Sequence, residues 1–123
     1  MTDEKKTLVD QALQGLVEGN DAVSAALAVS VDGHLIAGHA AAEMSIKRLA
    51  TMGSTLMSLG DTISRELSMG ECNNVIAEND LGIVVFMHIN PEIVLVSLTD
   101  RNNSLGMLLS ASRNCAQSLQ KQL

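Results

Sequence analysis

The segment from Ser45 to Leu67 constrains the fold most, because its apolar residues recur with a helical rather than a strand period. On a wheel of about 100° per residue, Leu59, Met52, Ile63, Leu56, Leu49 and Leu67 lead through Gly60 and Gly53 to Ile46, Met57 and Ala50. That arc covers roughly half the circumference, whereas a helix lying on one sheet face needs about 100°. Either the helix is buried on several sides, or one flank meets a sheet and the other a second partner. Gly53 and Gly60 fall on one side, near the middle of the arc. An interior glycine costs about 1 kcal/mol relative to alanine, so close approach of the helix backbone to another element is expected there. The opposite side carries Thr51, Ser54, Thr55, Ser58, Asp61 and Thr62. This surface of low charge suits either plain solvation or docking, with Thr51, Thr55, Ser58 and Thr62 as the candidate docking face. The pattern allows the helix to start as early as Ala41 and to end near Met69-Gly70.

The flanking segments supply what such a helix would cover. Leu8, Val9, Ala12, Leu13, Leu16 and Val17 predict an amphipathic helix from about Lys5 to Glu18, stopped by Gly19-Asn20. From Val23 the period becomes two. Val23, Ala25, Leu27, Val29 and Val31 would share one face, with the small Ser24, Ala26, Ala28 and Ser30 on the other. Asp32-Gly33 supplies a turn, since both residues tolerate positive φ, and His34 to Gly38 reads as the returning strand.

Asn74 to Glu78 is a short, polar-ended strand suited to a sheet edge, and Asn79-Asp80-Leu81-Gly82 is turn-like. Ile83 to Ile89 and Ile93 to Leu98, joined by Asn90-Pro91-Glu92, are almost continuously apolar, as expected of central strands covered on both faces. Asn102-Asn103-Ser104 would cap a last helix whose apolar side is Leu105, Leu108, Leu109, Cys115, Ala116 and Leu119. The order is helix, two strands, helix, three strands, helix. Short turns make antiparallel neighbours, and three helices on two faces of five strands make an α/β layer structure.

This order, with its turn residues, resembles the roadblock / dynein light chain family. The resemblance rests on Val23-Ser-Ala-Ala-Leu-Ala-Val-Ser-Val-Asp-Gly33, on Leu35-Ile36-Ala37, on Leu67-Ser-Met-Gly70 leading into Val75-Ile76-Ala77-Glu78, and on Asn103-Ser-Leu-Gly106. Asp21-Ala22 departs from the Pro-Gly-like turn of many relatives. The resemblance implies a five-stranded antiparallel sheet in the order 2-1-5-4-3, one long helix on one face and two helices on the other. It also implies a homodimer with a ten-stranded sheet. The third strands, Asn74, Val75, Ile76, Ala77 and Glu78, would pair across a two-fold. The second helices would meet through Met52, Leu56, Leu59 and Ile63. Members are usually regulators or scaffolds of Ras-like small GTPases, or subunits of motor and signalling complexes. Some bacterial ones stimulate a partner's GTP hydrolysis without giving it a catalytic residue.

Composition narrows the alternatives. The chain has 123 residues, enough for one domain, taken as 1–123, with a core that needs neither disulfide nor metal. A net charge of −6 with scattered Lys and Arg, and no Trp or Tyr for stacking, argues against nucleic acid. The charged start Met1-Thr2-Asp3-Glu4-Lys5-Lys6 is unlike a secretory signal, and no apolar run reaches the roughly 20 residues of a membrane span. A cytoplasmic protein with reduced Cys72 and Cys115 is expected. The histidines lie in separate segments without metal-ligand spacing, and no cofactor is expected. Cys72 with His34, His39 or His88 has no signature of a nucleophile and base, and Asp32 is assigned to its turn. Arg48, Arg65, Arg101 and Arg113 are arginine-finger candidates by residue type alone. A small-ligand sensor is disfavoured, because no cluster of convergent polar residues is visible in the sequence.

Overall fold

Alternating and continuous apolar patterns become five strands, and the three helical patterns become helices. In order these are α1 (Asp3–Glu18), β1 (Ala25–Ser30), β2 (Leu35–Ala40), α2 (Ile46–Glu66), β3 (Val75–Asn79), β4 (Gly82–Asn90), β5 (Ile93–Thr99) and α3 (Leu105–Gln122). The computed structural model describes residues 1–40, 45–101 and 104–123. The helix start at Ala41 and the cap residues Asn102 and Asn103 lie outside those residues. The strands form one antiparallel sheet in the order β2-β1-β5-β4-β3, as the resemblance implies.

Each sheet face has its own core. On one, Val9, Leu13 and Leu16 of α1 and Leu108, Ala116 and Leu119 of α3 pack over Ile83, Val85, Met87, Ile89 and Leu95. Ala26 and Ala28 of β1 face this layer, and their small side chains let the helices come close. On the other face, Ala50 and Met57 of α2 meet Leu27, Val29, Phe86, Val94 and Val96. The strict alternation expected from Val23 to Val31 holds only within β1. Val23 precedes the strand and packs with the α1/α3 layer, and Val31 lies in the turn with 45% of its surface exposed.

Local chemistry shifts several boundaries. The Thr2 hydroxyl accepts from Lys5 N–H at 3.2 Å, so α1 starts at Asp3 rather than Lys5. In the first hairpin only Gly33 takes positive φ, at +93°. Gly33 N–H donates to Ser30 C=O at 2.9 Å and Ser30 N–H to His34 C=O at 2.8 Å, which closes a three-residue loop with one left-handed residue. In the second hairpin Glu92 N–H donates to Asn90 Oδ1 at 2.8 Å, an Asx turn. α2 stops before Gly70. Ser68 N–H donates to Arg65 C=O at 3.1 Å and Met69 N–H to Ser64 C=O at 2.9 Å, a Schellman closure with Ser68 at φ +52°.

Candidate interaction surface

The sheet register explains where α2 lies. Gly38, Leu27, Val96, Phe86 and Val75 are successive cross-strand partners, one from each strand from β2 to β3. α2 follows this row. Ile46 Cδ1 stands 2.8 Å from the position a Cβ on Gly38 would occupy. A Cβ on Gly53 would lie 2.9 Å from Val96 Cγ2 and 3.4 Å from Phe86 Cδ1, and one on Gly60 would lie 2.8 Å from Val75 Cγ2. The helix backbone therefore touches the sheet at both glycines. Gly33 places the first hairpin turn under the same helix, where its Cβ would sit 3.3 Å from Ser54 Oγ.

Only one margin of the broad apolar arc is used. Ala50, Gly53, Ser54 and Met57 are buried at the i, i+3, i+4, i+7 spacing of a single face. Met52, Leu59 and Ile63 remain 49%, 55% and 51% exposed, with Leu56 and Leu67 exposed beside them. The helix is thus not sunk in a core of its own chain. Past the helix end Met69 is exposed too, and on β3 Ile76 is exposed on the opposite face of the sheet, since its neighbours Val75 and Ala77 are the ones that pack on the α2 side. β3 is an edge strand, with β4 on one side and, among the described residues, no strand on the other. Of its expected members, Asn74 falls just outside the strand and Asn79 falls within it.

The hydroxyl side splits. Thr51, Thr55, Ser58 and Thr62 are exposed, and two of them turn their hydroxyls back on the helix. Thr55 Oγ1 donates to Thr51 C=O at 3.1 Å and Thr62 Oγ1 to Ser58 C=O at 3.0 Å. Ser54 is buried instead of solvated, and it donates to Thr51 C=O at 3.0 Å. Asp61 is not plain surface either, because its Oδ2 meets His88 Nε2 at 2.8 Å. His88 Nδ1 faces Asn90 C=O at 3.2 Å. Both correct the expectation that these residues share the outer face; a 27-residue separation hides the Asp61–His88 pair from the sequence. On the outer half of α2, an apolar stripe and a hydroxyl stripe therefore run side by side.

No catalytic constellation forms from the nominated residues. Cys72 and His88 line one cleft, yet both ring nitrogens of His88 face oxygens, and Cys72 Sγ lies 3.6 Å from Asn74 C=O. Cys115 is half-buried with Sγ 3.9 Å from Ala12 C=O, and burial pushes its thiol pKa up. Among the described residues there is no group of three or more His, Cys, Asp or Glu able to hold a metal. Among them, too, no helix is long and apolar enough to cross a membrane.

Comparison with known proteins places this geometry. The Roadblock/LC7 domain model matches residues 9–99. No curated protein matches the sequence. MglB of Myxococcus xanthus superposes with a TM-score of 0.87 at 18% identity, covering 98% of this chain and 91% of that one. An MglB solved with a tetrameric arrangement gives 0.86 at 14% identity, covering 98% and 91%. A Roadblock/LC7 domain from Streptomyces avermitilis gives 0.82 at 22% identity, covering 92% and 95%. At these identities the structures share a fold. With the family model spanning most of the sequence and the strand order in agreement, the chain belongs to the Roadblock/LC7 domain family.

Proposed function

We propose that this chain is a homodimeric, non-enzymatic regulator or scaffold of a Ras-like small GTPase, acting in the cytoplasm as one roadblock unit over residues 1–123. The observation that carries the reading is the run of exposed apolar side chains on α2, Met52, Leu56, Leu59 and Ile63, beside the open edge strand β3. An exposed apolar stripe of this length favours a partner, and unpaired edge groups favour an identical strand across a two-fold. The margin that faces the second copy is Met52/Leu59, because Ala50/Met57 is spent on the sheet. Self-association also fits the tetrameric arrangement of the MglB relative.

The hydroxyl stripe of Thr51, Thr55, Ser58 and Thr62 then remains open on the same outer half for the GTPase. Its action is differential affinity for one nucleotide state, with the switch segments of the GTPase held by contact. Two measurements test the reading. Sedimentation should give twice the chain mass, and Leu59→Asp or Met52→Asp should halve it. A monomeric mass for the unaltered protein overturns the dimer. Capture of cellular GTPases loaded with GTP or GDP should favour one form. Equal capture of both replaces regulation with a structural role in a larger assembly.

A further inference from the structure

β4 is longer than the strand beside it. The β3–β4 ladder ends at Val75 opposite Phe86, while β4 runs on to Asn90. Between this free margin and the loop entering β3 lie two adjoining compartments open to solvent, of about 490 Å³ on the α2 side and about 470 Å³ on the α3 side. Asn73, His88, Ile89 and Gln120 belong to both.

The α3-side compartment has an unusual charge. Arg113, Gln117 and Gln120 present one flank of α3 to it, and Asn73 and Asn74 form the facing wall. Among the described residues no Asp or Glu lines it, in a protein with a net charge of −6. The Arg113 guanidinium has no hydrogen-bond or ion-pair partner among the described residues. We propose that this compartment binds a carboxylate group, carried by a small organic acid or by the free end of a peptide. A guanidinium meets a carboxylate through two parallel N–H···O bonds, and the four amide side chains supply further neutral donors. One unpaired cation with neutral donors matches one carboxylate group of the ligand. The α2-side compartment, lined by the Asp61–His88 pair, Arg65 and Glu71, carries both signs and receives the polar body of the ligand. These residues converge only in the fold, so the sequence shows no such cluster.

The test uses the full chain, ¹⁵N-labelled, with side-chain amide and arginine Nε–H signals followed by NMR. Succinate is titrated at constant ionic strength against a chloride control. A short peptide with a free C-terminal carboxylate is titrated beside its amidated form. The expected result is saturable movement of the Asn73, Asn74, Gln117 and Gln120 amides and of Arg113 Nε–H. Arg113→Gln, a change at an exposed position, should weaken binding about tenfold. Saturation by succinate alone supports a free acid, and tighter binding of the free-ended peptide than of succinate or of its amide supports a chain end. Absence of saturation by every probe, the same shifts with chloride, or unchanged binding in Arg113→Gln overturns the proposal.

Discussion

The two faces of the sheet are built to opposite ends. Two helices, α1 and α3, cover one face, with Val9, Leu13, Leu16, Leu108 and Leu119 buried and Leu105 and Leu109 partly buried on their inner sides. A single helix covers the other, and it spends its small residues inward and its large ones outward. Ala50, Gly53 and Ser54 meet the sheet with Met57, while Met52, Leu56, Leu59 and Ile63 face away. A helix selected only to close a core would do the reverse. The contrast separates stability from association: the α1/α3 layer holds the fold, and the outer half of α2 is available to a partner.

Truncation on each face is the sharpest way to break that contrast. Leu13→Ala in α1, at a fully buried position, should cost about 3 kcal/mol. Leu59→Ala should leave the dissociated chain within about 0.5 kcal/mol of the parent while weakening self-association. Chemical denaturation at low protein concentration, with sedimentation at high concentration, measures both. Equal losses from the two substitutions would erase the distinction.

A glycine-to-alanine pair sharpens it further, because one substitution should act in opposite directions on the two faces. Gly53→Ala brings a methyl within 2.9 Å of the stiff, buried Val96, and it should destabilise by about 1 kcal/mol even after the gain in helix propensity. Gly15→Ala, in exposed α1 with nothing within 4 Å, should stabilise by about the same amount. Thermal unfolding of both variants decides the signs. At the end of α2, Ser68→Gly should relieve the left-handed residue of the Schellman closure and add somewhat under about 1 kcal/mol. In the α1/α3 layer, Ser112→Ala removes a buried hydroxyl that has no hydrogen-bond partner among the described residues and should be neutral or stabilising by up to about 1 kcal/mol. A clear loss of melting temperature in Ser112→Ala would mean that this hydroxyl is satisfied in solution.

These regions were unequally legible in the sequence. Periodicity carries local information, so the element order and the excess apolar surface of α2 follow directly from Ser45 to Leu67. The strand order came from the resemblance, since apolar runs such as Ile83 to Ile89 mark central strands without naming their neighbours. Phase at strand ends was misread because Val23 and Val31 alternate correctly by type but lie outside the paired residues. The wheel puts Ser54 and Asp61 on the outer face, open to solvent or a partner, because it gives direction and not distance. The hairpin turn tucked beneath α2 buries Ser54, and His88 on β4 captures Asp61. The polar compartment was hidden for the same reason, as Asn73 and Arg113 become neighbours of one cavity only when the sheet end brings loop and helix together.

The seat of α2 on Phe86 has an optical consequence. With no Trp or Tyr, the chain has Phe86 as its single aromatic side chain, and that ring is 2% exposed beneath Gly53. Near-ultraviolet dichroism from the aromatic side chains of this protein should therefore be weak and originate at one point, under the middle of the helix that faces outward. A partner containing Trp contributes all of the indole emission in a mixture, so its docking can be followed without background. Any accompanying change in the phenylalanine bands reports whether the helix has shifted on its sheet.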